Sequence, residues 1–137
     1  MVVTVVGAGY VGALTAITMA CRNPEVQFKV CDINRKLIDR WIEGDLPFYE
    51  PGLEAYYKEA VHELKNVQFT TEVKQSISFG DVIFIAVNTP PKRQEHGLVL
   101  QAQSKHKKFK QTRSQMGTET DLSAFISVVR EIGNSFD

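Results

Sequence analysis

A glycine-rich hexapeptide near the start of the chain constrains the fold more than any other feature. Residues 7–12 read Gly-Ala-Gly-Tyr-Val-Gly and directly follow the apolar run Val2–Val6. In a strand-turn-helix unit, the first glycine permits a tight turn, the second lets a ligand approach the backbone, and the third lets the helix pack closely on the sheet. Free N–H groups and the positive dipole at the start of the helix favour a diphosphate there. This segment therefore predicts a nucleotide-binding βαβ unit.

An acidic residue at the end of the second apolar run extends the prediction to a dinucleotide. Three glycines alone would also fit an ordinary loop, but Asp32 stands twenty positions after Gly12. A carboxylate at that distance would accept hydrogen bonds from the adenosine ribose hydroxyls, and its charge would repel a 2′-phosphate. The sequence therefore predicts NAD as the cofactor, in preference to NADP.

Hydrophobic periodicity alternates between short strand-like runs and longer helical stretches, which is typical of a parallel sheet with crossover helices. The predicted strands are Val2–Val6, Val26–Cys31, Val67–Thr70 and Val82–Val87, and the predicted helices are Tyr10–Cys21, Arg35–Trp41, Leu53–Leu64 and Val73–Ser78. Right-handed crossovers place the second strand beside the first, the third outside the second, and the fourth on the far side of the first. The expected fold class is α/β, a Rossmann-type doubly wound parallel sheet that is incomplete at about four strands. The fourth strand is apolar throughout, so it is expected to be buried on both faces.

The rest of the chain divides after this core of residues 1–90. Pro90 and Pro91 end the fourth strand, and residues 91–118 form a basic stretch without a clear period, predicted to be a disordered loop or insert. Residues 119–137 are predicted to form an amphipathic helix of the same domain, with Thr120 or Asp121 as its N-cap. Its apolar face comprises Leu122, Phe125, Ile126, Val129 and Ile132.

Composition excludes several other classes of function. The formal net charge is zero, which offers no electrostatic case for an anionic membrane or for nucleic acid, although a weak nucleic-acid hypothesis remains for the basic residues 92–113. The run Val2–Val6 is too short to span a bilayer. Two cysteines, Cys21 and Cys31, without an export signal favour a reducing, cytoplasmic location. The three histidines lack metal-ligand spacing, so no metal site is expected; they are His62, His96 and His106.

Three segments together carry a resemblance to a known family. The glycine loop, the run Leu46–Leu53 (Leu-Pro-Phe-Tyr-Glu-Pro-Gly-Leu) and the strand end Val87–Pro90 (Val-Asn-Thr-Pro) resemble the UDP-glucose/GDP-mannose dehydrogenase family. Asn-Pro-Glu-Val at residues 23–26 and Leu46-Pro47 are most similar to the eukaryotic UDP-glucose 6-dehydrogenases. The resemblance implies oxidation of UDP-glucose to UDP-glucuronate with two NAD and one water per turnover, through a catalytic cysteine.

The resemblance also implies which residues bind the cofactor. The pyrophosphate would lie on the backbone of Gly7, Ala8, Gly9, Tyr10, Val11 and Gly12. Asp32 would hold the adenine ribose, and Val87, Asn88 and Thr89 would line the wall near the cofactor, although Asn88 and Thr89 also fit turn chemistry before two prolines. The basic residue that the family usually has five positions after the acid is Leu37 here, so Arg35 or Lys36 would take its place or be a solvated helix charge.

The Glu-Pro-Gly motif at residues 50–52 is interpreted structurally, as a helix start with a proline just inside it and an acid near its positive end. The family's catalytic cysteine and sugar-nucleotide domain are expected beyond Asp137, so the 137 residues by themselves are expected to be inactive and to meet UDP-glucose only with that domain. Two alternatives stay open. One is a non-catalytic NAD-binding or regulatory module that pairs with a full-length subunit through the free edge of the fourth strand. The other is a different nucleotide-sugar 6-dehydrogenase, acting on GDP-mannose or UDP-N-acetylmannosamine.

Overall fold

The computed structural model describes residues 1–91 and 120–135. The elements follow one another as β1 (Val2–Val6), α1 (Tyr10–Arg22), β2 (Gln27–Cys31), α2 (Arg35–Glu43), α3 (Leu53–Tyr57), a π-helical segment (Lys58–Glu63), β3 (Val67–Thr70), α4 (Val73–Phe79), β4 (Val82–Ile85) and α5 (Ser123–Asn134). The predicted alternation of strands and helices is confirmed. The differences lie at the ends of elements, since β2 begins one residue later than predicted and β4 ends two residues earlier.

The four strands form one parallel sheet in the order β3-β2-β1-β4. This order is the one that right-handed crossovers predict from the sequence. In the register, Val5 of β1 lies opposite Val30 of β2 on one side and Phe84 of β4 on the other. The chain therefore reverses its direction across the sheet between β1 and β4, and the carboxyl ends of these two strands mark the crevice where such sheets bind ligands.

The larger hydrophobic core lies on one face of the sheet, under α1, α2 and α3. Trp41 of α2 is fully buried there, and its ring stacks on Phe69 of β3 with centroids 5.0 Å apart and planes 3° apart. The strand residues of this core alternate with those of the opposite face, as the two-residue period of a strand requires. They are Val3, Val5, Phe28, Val30, Val67 and Phe69.

A smaller cluster lies on the opposite face, beneath α4 and α5. Val6, Cys31 and Ile77 are buried there, and Val128 and Ile132 of α5 pack against them. Lys74 of α4 and Glu131 of α5 form a surface ion pair at 3.7 Å. The smaller cluster thus attaches α5 to the described sheet.

The apolar face of α5 is covered only along one margin. The helix begins at Ser123, and its N-cap residue is Leu122, so the prediction of Thr120 or Asp121 as the N-cap was wrong. The Asp121 carboxylate does accept a hydrogen bond from the Ser123 N–H at 2.9 Å. Ile132 packs as predicted, but Val128 is the second contact, and the other four residues of the predicted face are 41–46% exposed. Those four are Leu122, Phe125, Ile126 and Val129.

The expectation that β4 is buried on both faces was wrong. Val82 and Phe84 are 41% and 40% exposed. Both lie in the same cross-sheet rows as Val3 and Val5, which the described helices cover completely. Because β4 is the last strand on its side of the described sheet, its side chains receive less cover from α1 than those of the central strand. Apolar composition correctly predicted a strand here, whereas the burial of its side chains depended on which helices pack over them.

Several predictions fall on residues 92–119, which lie outside the described residues; these include most of the segment 91–118 and both His96 and His106. On either side of that segment, Pro91 and Thr120 form an antiparallel bridge, and the Asp121 N–H donates to the Pro90 carbonyl at 2.7 Å. Within residues 1–91 and 120–135, no helix has the length and apolar character needed to cross a membrane. Over the same residues, no group of three His, Cys, Asp or Glu side chains is placed to bind a metal ion.

We predict that Asn66→Ala will lower the free energy of unfolding by about 2 kcal/mol, because buried carbonyls lose their donor. The Asn66 side chain is 1% exposed, and its Nδ2 donates to the carbonyls of Ala20, Asn23 and Val26 at 3.0, 3.3 and 3.2 Å. Urea denaturation measures the effect. Gln68→Ala, at an exposed position of β3, is the control. Equal midpoints for the two variants would show that this amide does not hold the end of α1 to β2.

Candidate dinucleotide site

The turn between β1 and α1 requires glycine at two of its positions. Gly7 has a φ of +111°, and a Cβ there would lie 2.4 Å from the Ala86 carbonyl oxygen. A Cβ on Gly12 would lie 2.0 Å from the Gly7 carbonyl oxygen and 3.1 Å from the Ala86 side chain. These two glycines therefore allow α1 to pack against the turn and against the chain that continues from β4.

Gly9 has no such structural requirement. Its φ of −70° and ψ of −174° are open to any residue. Apart from its two chain neighbours, no atom of the described residues lies within 4 Å of the position its Cβ would take. Residues 1–91 and 120–135 therefore leave the space beside this backbone open. A glycine that neither strain nor packing requires, at the start of a helix, fits close approach by a ligand.

The first turn of α1 supplies the donors for an anionic ligand. The first intrahelical bond runs from the Ala13 N–H to the Gly9 carbonyl at 3.0 Å. The N–H groups of residues 10–12 precede that bond and have no acceptor within the helix. Because α1 is 13 residues long, its aligned peptide dipoles add a partial positive charge at this end. The residues thus fit a diphosphate.

Two other N–H groups of the predicted loop serve the fold. The Gly7 N–H donates to the Cys31 carbonyl at 2.8 Å, and the Ala8 N–H donates to Asp32 Oδ2 at 2.8 Å. Both bonds attach the turn to the end of β2. The six-residue loop named in the sequence prediction therefore divides into a part that anchors the turn and a part, from Gly9 onward, that is open to a ligand.

Asp32 lies beside the glycine turn, as the spacing predicts. Its Oδ2 accepts from the Ala8 N–H, and its Oδ1 accepts from the Asn34 N–H, both at 2.8 Å. Each carboxylate oxygen has a second lone pair, and the side chain is half-buried at the carboxyl end of β2. The carboxylate is thus held rigidly by the backbone and still able to accept from a ribose diol.

The end of β4 comes to the same place from the other side. The Ala86 N–H donates to the Val6 carbonyl at 2.7 Å, so the residues after β4 lie beside the glycine turn. Val87 is half-buried against the smaller cluster, whereas Asn88 and Thr89 are exposed. The structure therefore brings the glycine turn, Asp32 and the start of the third segment, at Ala86 and Val87, together; a role of Asn88 and Thr89 toward the cofactor stays a prediction.

The two basic candidates lie in the first turn of α2. Arg35 and Lys36 are both exposed, and the Arg35 guanidinium donates to Thr71 Oγ1 at 3.4 Å. Asn34 is the N-cap of this helix, and its side chain accepts from the Leu37 N–H at 3.2 Å. Arg35 and Lys36 thus follow the carboxylate closely along the chain, and a role toward the cofactor stays a prediction.

The interpretation of residues 50–52 as a helix start holds in that α3 follows directly, but the expectation that the proline lies just inside the helix was wrong. Helix α3 begins at Leu53 after Gly52, whose φ is +85°, and no side chain caps it; Pro51 precedes the helix. The Glu50 carboxylate instead accepts a hydrogen bond from the Tyr10 hydroxyl at 2.7 Å, and this bond raises the pKa of Tyr10. The Glu-Pro-Gly segment is therefore tied to the first residue of α1. Sequence reasoning missed this contact because it joins residues forty positions apart.

Trp41 was assigned only to the end of a helix, yet it contacts the site. Its indole Nε1 donates to the Ala8 carbonyl at 3.0 Å, inside the larger core. The rings of Tyr10 and Phe48 are perpendicular with centroids 5.9 Å apart, and the centroids of Phe48 and Trp41 are 6.2 Å apart. The sequence offers one signal for this role, since Trp41 is the only tryptophan of the chain and follows buried Ile38 by three positions.

Comparisons with known proteins agree with this geometry. The model of the UDP-glucose/GDP-mannose dehydrogenase family, NAD binding domain, matches residues 1–137. UDP-glucose 6-dehydrogenase 1 of Arabidopsis thaliana is 42% identical over 92 residues, which cover 67% of this chain and 19% of the plant protein. UDP-glucose 6-dehydrogenase of Pongo abelii is 43% identical over 89 residues, covering 64% and 17% respectively.

Solved structures show the same likeness. A ternary complex of GDP-mannose dehydrogenase from Pseudomonas aeruginosa superimposes with a TM-score of 0.72 and 30% sequence identity, covering 99% of this chain and 25% of that chain. The matched region is thus less than a fifth of the curated relatives and a quarter of the solved enzyme. With the family match over its whole length, this chain belongs to the UDP-glucose/GDP-mannose dehydrogenase family, as its NAD-binding domain.

Proposed function

We propose that this chain is the NAD-binding portion of a UDP-glucose 6-dehydrogenase, which converts UDP-glucose, two NAD and water into UDP-glucuronate and two NADH. The proposal is supported by the two curated relatives above, both of which carry that name at 42–43% identity. UDP-glucose would be bound by a sugar-nucleotide domain of the complete enzyme. The two free cysteines agree with a cytoplasmic location, which is part of the same proposal.

The observation that carries the proposal is the convergence of the open first turn of α1 with the Asp32 carboxylate. Bound NAD supplies the hydride acceptor. The residues of this chain bind and orient it: the first turn of α1 holds the diphosphate, and Asp32 accepts from the adenosine ribose. Asn88 and Thr89, at the end of β4, line the wall beside it.

Neither cysteine of this chain has the surroundings of a catalytic nucleophile. Cys31 is fully buried, and burial raises the pKa of its thiol to about 11. Burial also raises the pKa of Cys21, which lies eleven residues along α1 from Tyr10, about 16 Å by helical rise. A covalent step on sulfur needs an accessible thiolate beside the cofactor. The proposal therefore includes that the 137 residues alone bind NAD without oxidising UDP-glucose.

A different nucleotide-sugar substrate is the nearest alternative within the family. The GDP-mannose dehydrogenase above shares 30% identity over 99% of this chain, whereas the two UDP-glucose 6-dehydrogenases share 42–43% over 64–67% of it. A complete enzyme containing this domain, assayed with UDP-glucose, GDP-mannose and UDP-N-acetylmannosamine in parallel, tests the choice. Fastest NADH formation from UDP-glucose supports the proposal, and a preference for either other sugar nucleotide contradicts it.

A second candidate function is a non-catalytic module that pairs with a full-length subunit. The observation in its favour is the free outer edge of β4 in the described sheet, where Phe84 is 40% exposed. A strand edge with apolar side chains is a template for pairing with another chain.

We predict that replacing Gly9 and Gly12 by alanine will separate ligand binding from folding. Gly9→Ala meets no protein atom, so the unfolding midpoint stays at or slightly above that of the unmodified chain, while NAD affinity falls about tenfold or more because the added methyl occupies the approach to the diphosphate. Gly12→Ala, the control, destabilises the fold itself. Calorimetric titration with NAD and thermal unfolding measure both. Unchanged NAD affinity in Gly9→Ala would contradict the site.

We predict that Asp32→Ala will weaken NAD binding by about tenfold or more, since hydrogen bonds to a charged acceptor are lost. NADP binding will fall less, because the repulsion of the 2′-phosphate disappears as well. Asp45→Ala is the charge-matched control, removing a carboxylate from an exposed pair with Arg40 at 2.7 Å. Titration of each variant with both dinucleotides gives the ratio of affinities, and an unchanged ratio in Asp32→Ala would contradict the assigned role.

We predict, for the second candidate, that Phe84→Lys will abolish co-elution of this chain with a full-length UDP-glucose 6-dehydrogenase, because a charge at the strand edge opposes pairing. Phe79→Lys is the control, since Phe79 is 62% exposed at the end of α4, away from that edge. Size-exclusion chromatography with light scattering measures the complex. The pairing hypothesis fails when the unmodified chain elutes alone.

A further inference from the structure

Trp41 makes one hydrogen bond to the glycine turn, and this bond fixes the orientation of a peptide group next to the open side of the turn. The side chain is 0% exposed, as is Ala8, and the indole N–H points to the Ala8 carbonyl at an N–O distance of 3.0 Å. A buried indole donor and a buried carbonyl satisfy one another here, where no solvent would replace either partner.

The geometry of the peptide group carries this contact to the next residue. The bond between Ala8 and Gly9 is trans, because the described residues contain no cis peptide. In a planar trans peptide, the carbonyl and the following N–H point in opposite directions. An Ala8 carbonyl drawn inward to Trp41 therefore turns the Gly9 N–H outward, away from the core.

The outward direction is the open side of the turn. Gly9 is half-exposed, and beyond its two chain neighbours the part of the chain that the structure describes places no atom within 4 Å of its Cβ position. Asp32 holds the other end of the Ala8 residue through its N–H at 2.8 Å. Ala8 is thus clamped by a carboxylate on one side and an indole on the other, and rotation of its carbonyl would break a buried hydrogen bond.

We propose that Trp41 is a positioning residue for the cofactor diphosphate, holding the Ala8 carbonyl so that the Gly9 N–H faces the ligand. The inference rests on NAD binding by this domain and deepens it. Trp41 touches no ligand itself. The effect of its indole N–H is confined to the orientation of one peptide group, which predicts a loss of affinity for phosphate-bearing ligands and none for adenosine, whose ribose is held by Asp32.

Trp41→Phe tests the proposal, because it removes the N–H and keeps an aromatic ring against Phe69, 5.0 Å away. Tyr57→Phe is the matched control: it removes a buried hydroxyl that donates to the Trp41 carbonyl and leaves the Ala8 carbonyl untouched. Binding of NAD, ADP and adenosine to each variant is followed by NMR titration at a temperature where both are folded. In Trp41→Phe, loss of the hydrogen bond that orients the peptide is expected to weaken the affinity for NAD and for ADP about fivefold, while the affinity for adenosine stays unchanged. In Tyr57→Phe, the affinities for all three ligands are expected to stay unchanged.

A replacement that keeps the ring size covers the case in which Trp41→Phe does not fold. Since Trp41 is the only tryptophan in the chain, growth on benzothienylalanine exchanges its N–H for sulfur at this position alone. The amide resonance of Gly9 is expected to shift in the ligand-free protein. Wild-type ADP affinity, or an equal loss for adenosine and ADP, would overturn the proposal. Failure of the unmodified chain to bind NAD would overturn the proposed function instead.

Discussion

The hydrogen bond from the Ala8 N–H to Asp32 Oδ2, 2.8 Å long, is the interaction on which the rest of the site depends. It joins the turn after β1 to the end of β2, and so sets a carboxylate beside the open amides of α1. The same carboxylate accepts from the Asn34 N–H and orders the start of α2. One side chain therefore anchors two backbone segments and, in the function we propose, also binds the ligand, because a carboxylate has enough lone pairs for both tasks.

A second constraint comes from close packing against Ala86. Gly7 and Gly12 are required there by atoms that a methyl group would overlap, whereas Gly9 borders empty space. The three glycines look equivalent in the motif, but they are glycine for two different physical reasons. Packing fixes the distance between α1 and the chain that leaves β4, and that distance places Ala86 and Val87 against the glycine turn.

Sequence reasoning recovered the parts of the molecule that depend on local pattern. Val2–Val6 and Val67–Thr70 were predicted with their observed bounds, and the strand order follows from the handedness of crossovers. Asp32 was predicted from its spacing, which the length of a βαβ unit determines. The burial of β4 was predicted wrongly, because hydrophobic composition reports a residue's preference and not the cover available to it. Phe84 belongs to a strand with the apolar composition of a buried strand, yet its side chain is exposed because that strand is at the edge of the described sheet.

The sequence by itself determined the fold class, NAD as the cofactor and the position of the carboxylate, since each rests on periodicity or on a short spacing along the chain. Only the tertiary structure decided that Trp41 holds the Ala8 carbonyl and that Glu50 bonds to Tyr10. Each contact joins residues more than thirty positions apart. One uses a backbone carbonyl and the other a tyrosine hydroxyl, and neither group marks its partner in the sequence. Such pairings leave no periodic trace, because they depend on how α2 and the segment after it pack against a turn already formed by glycine.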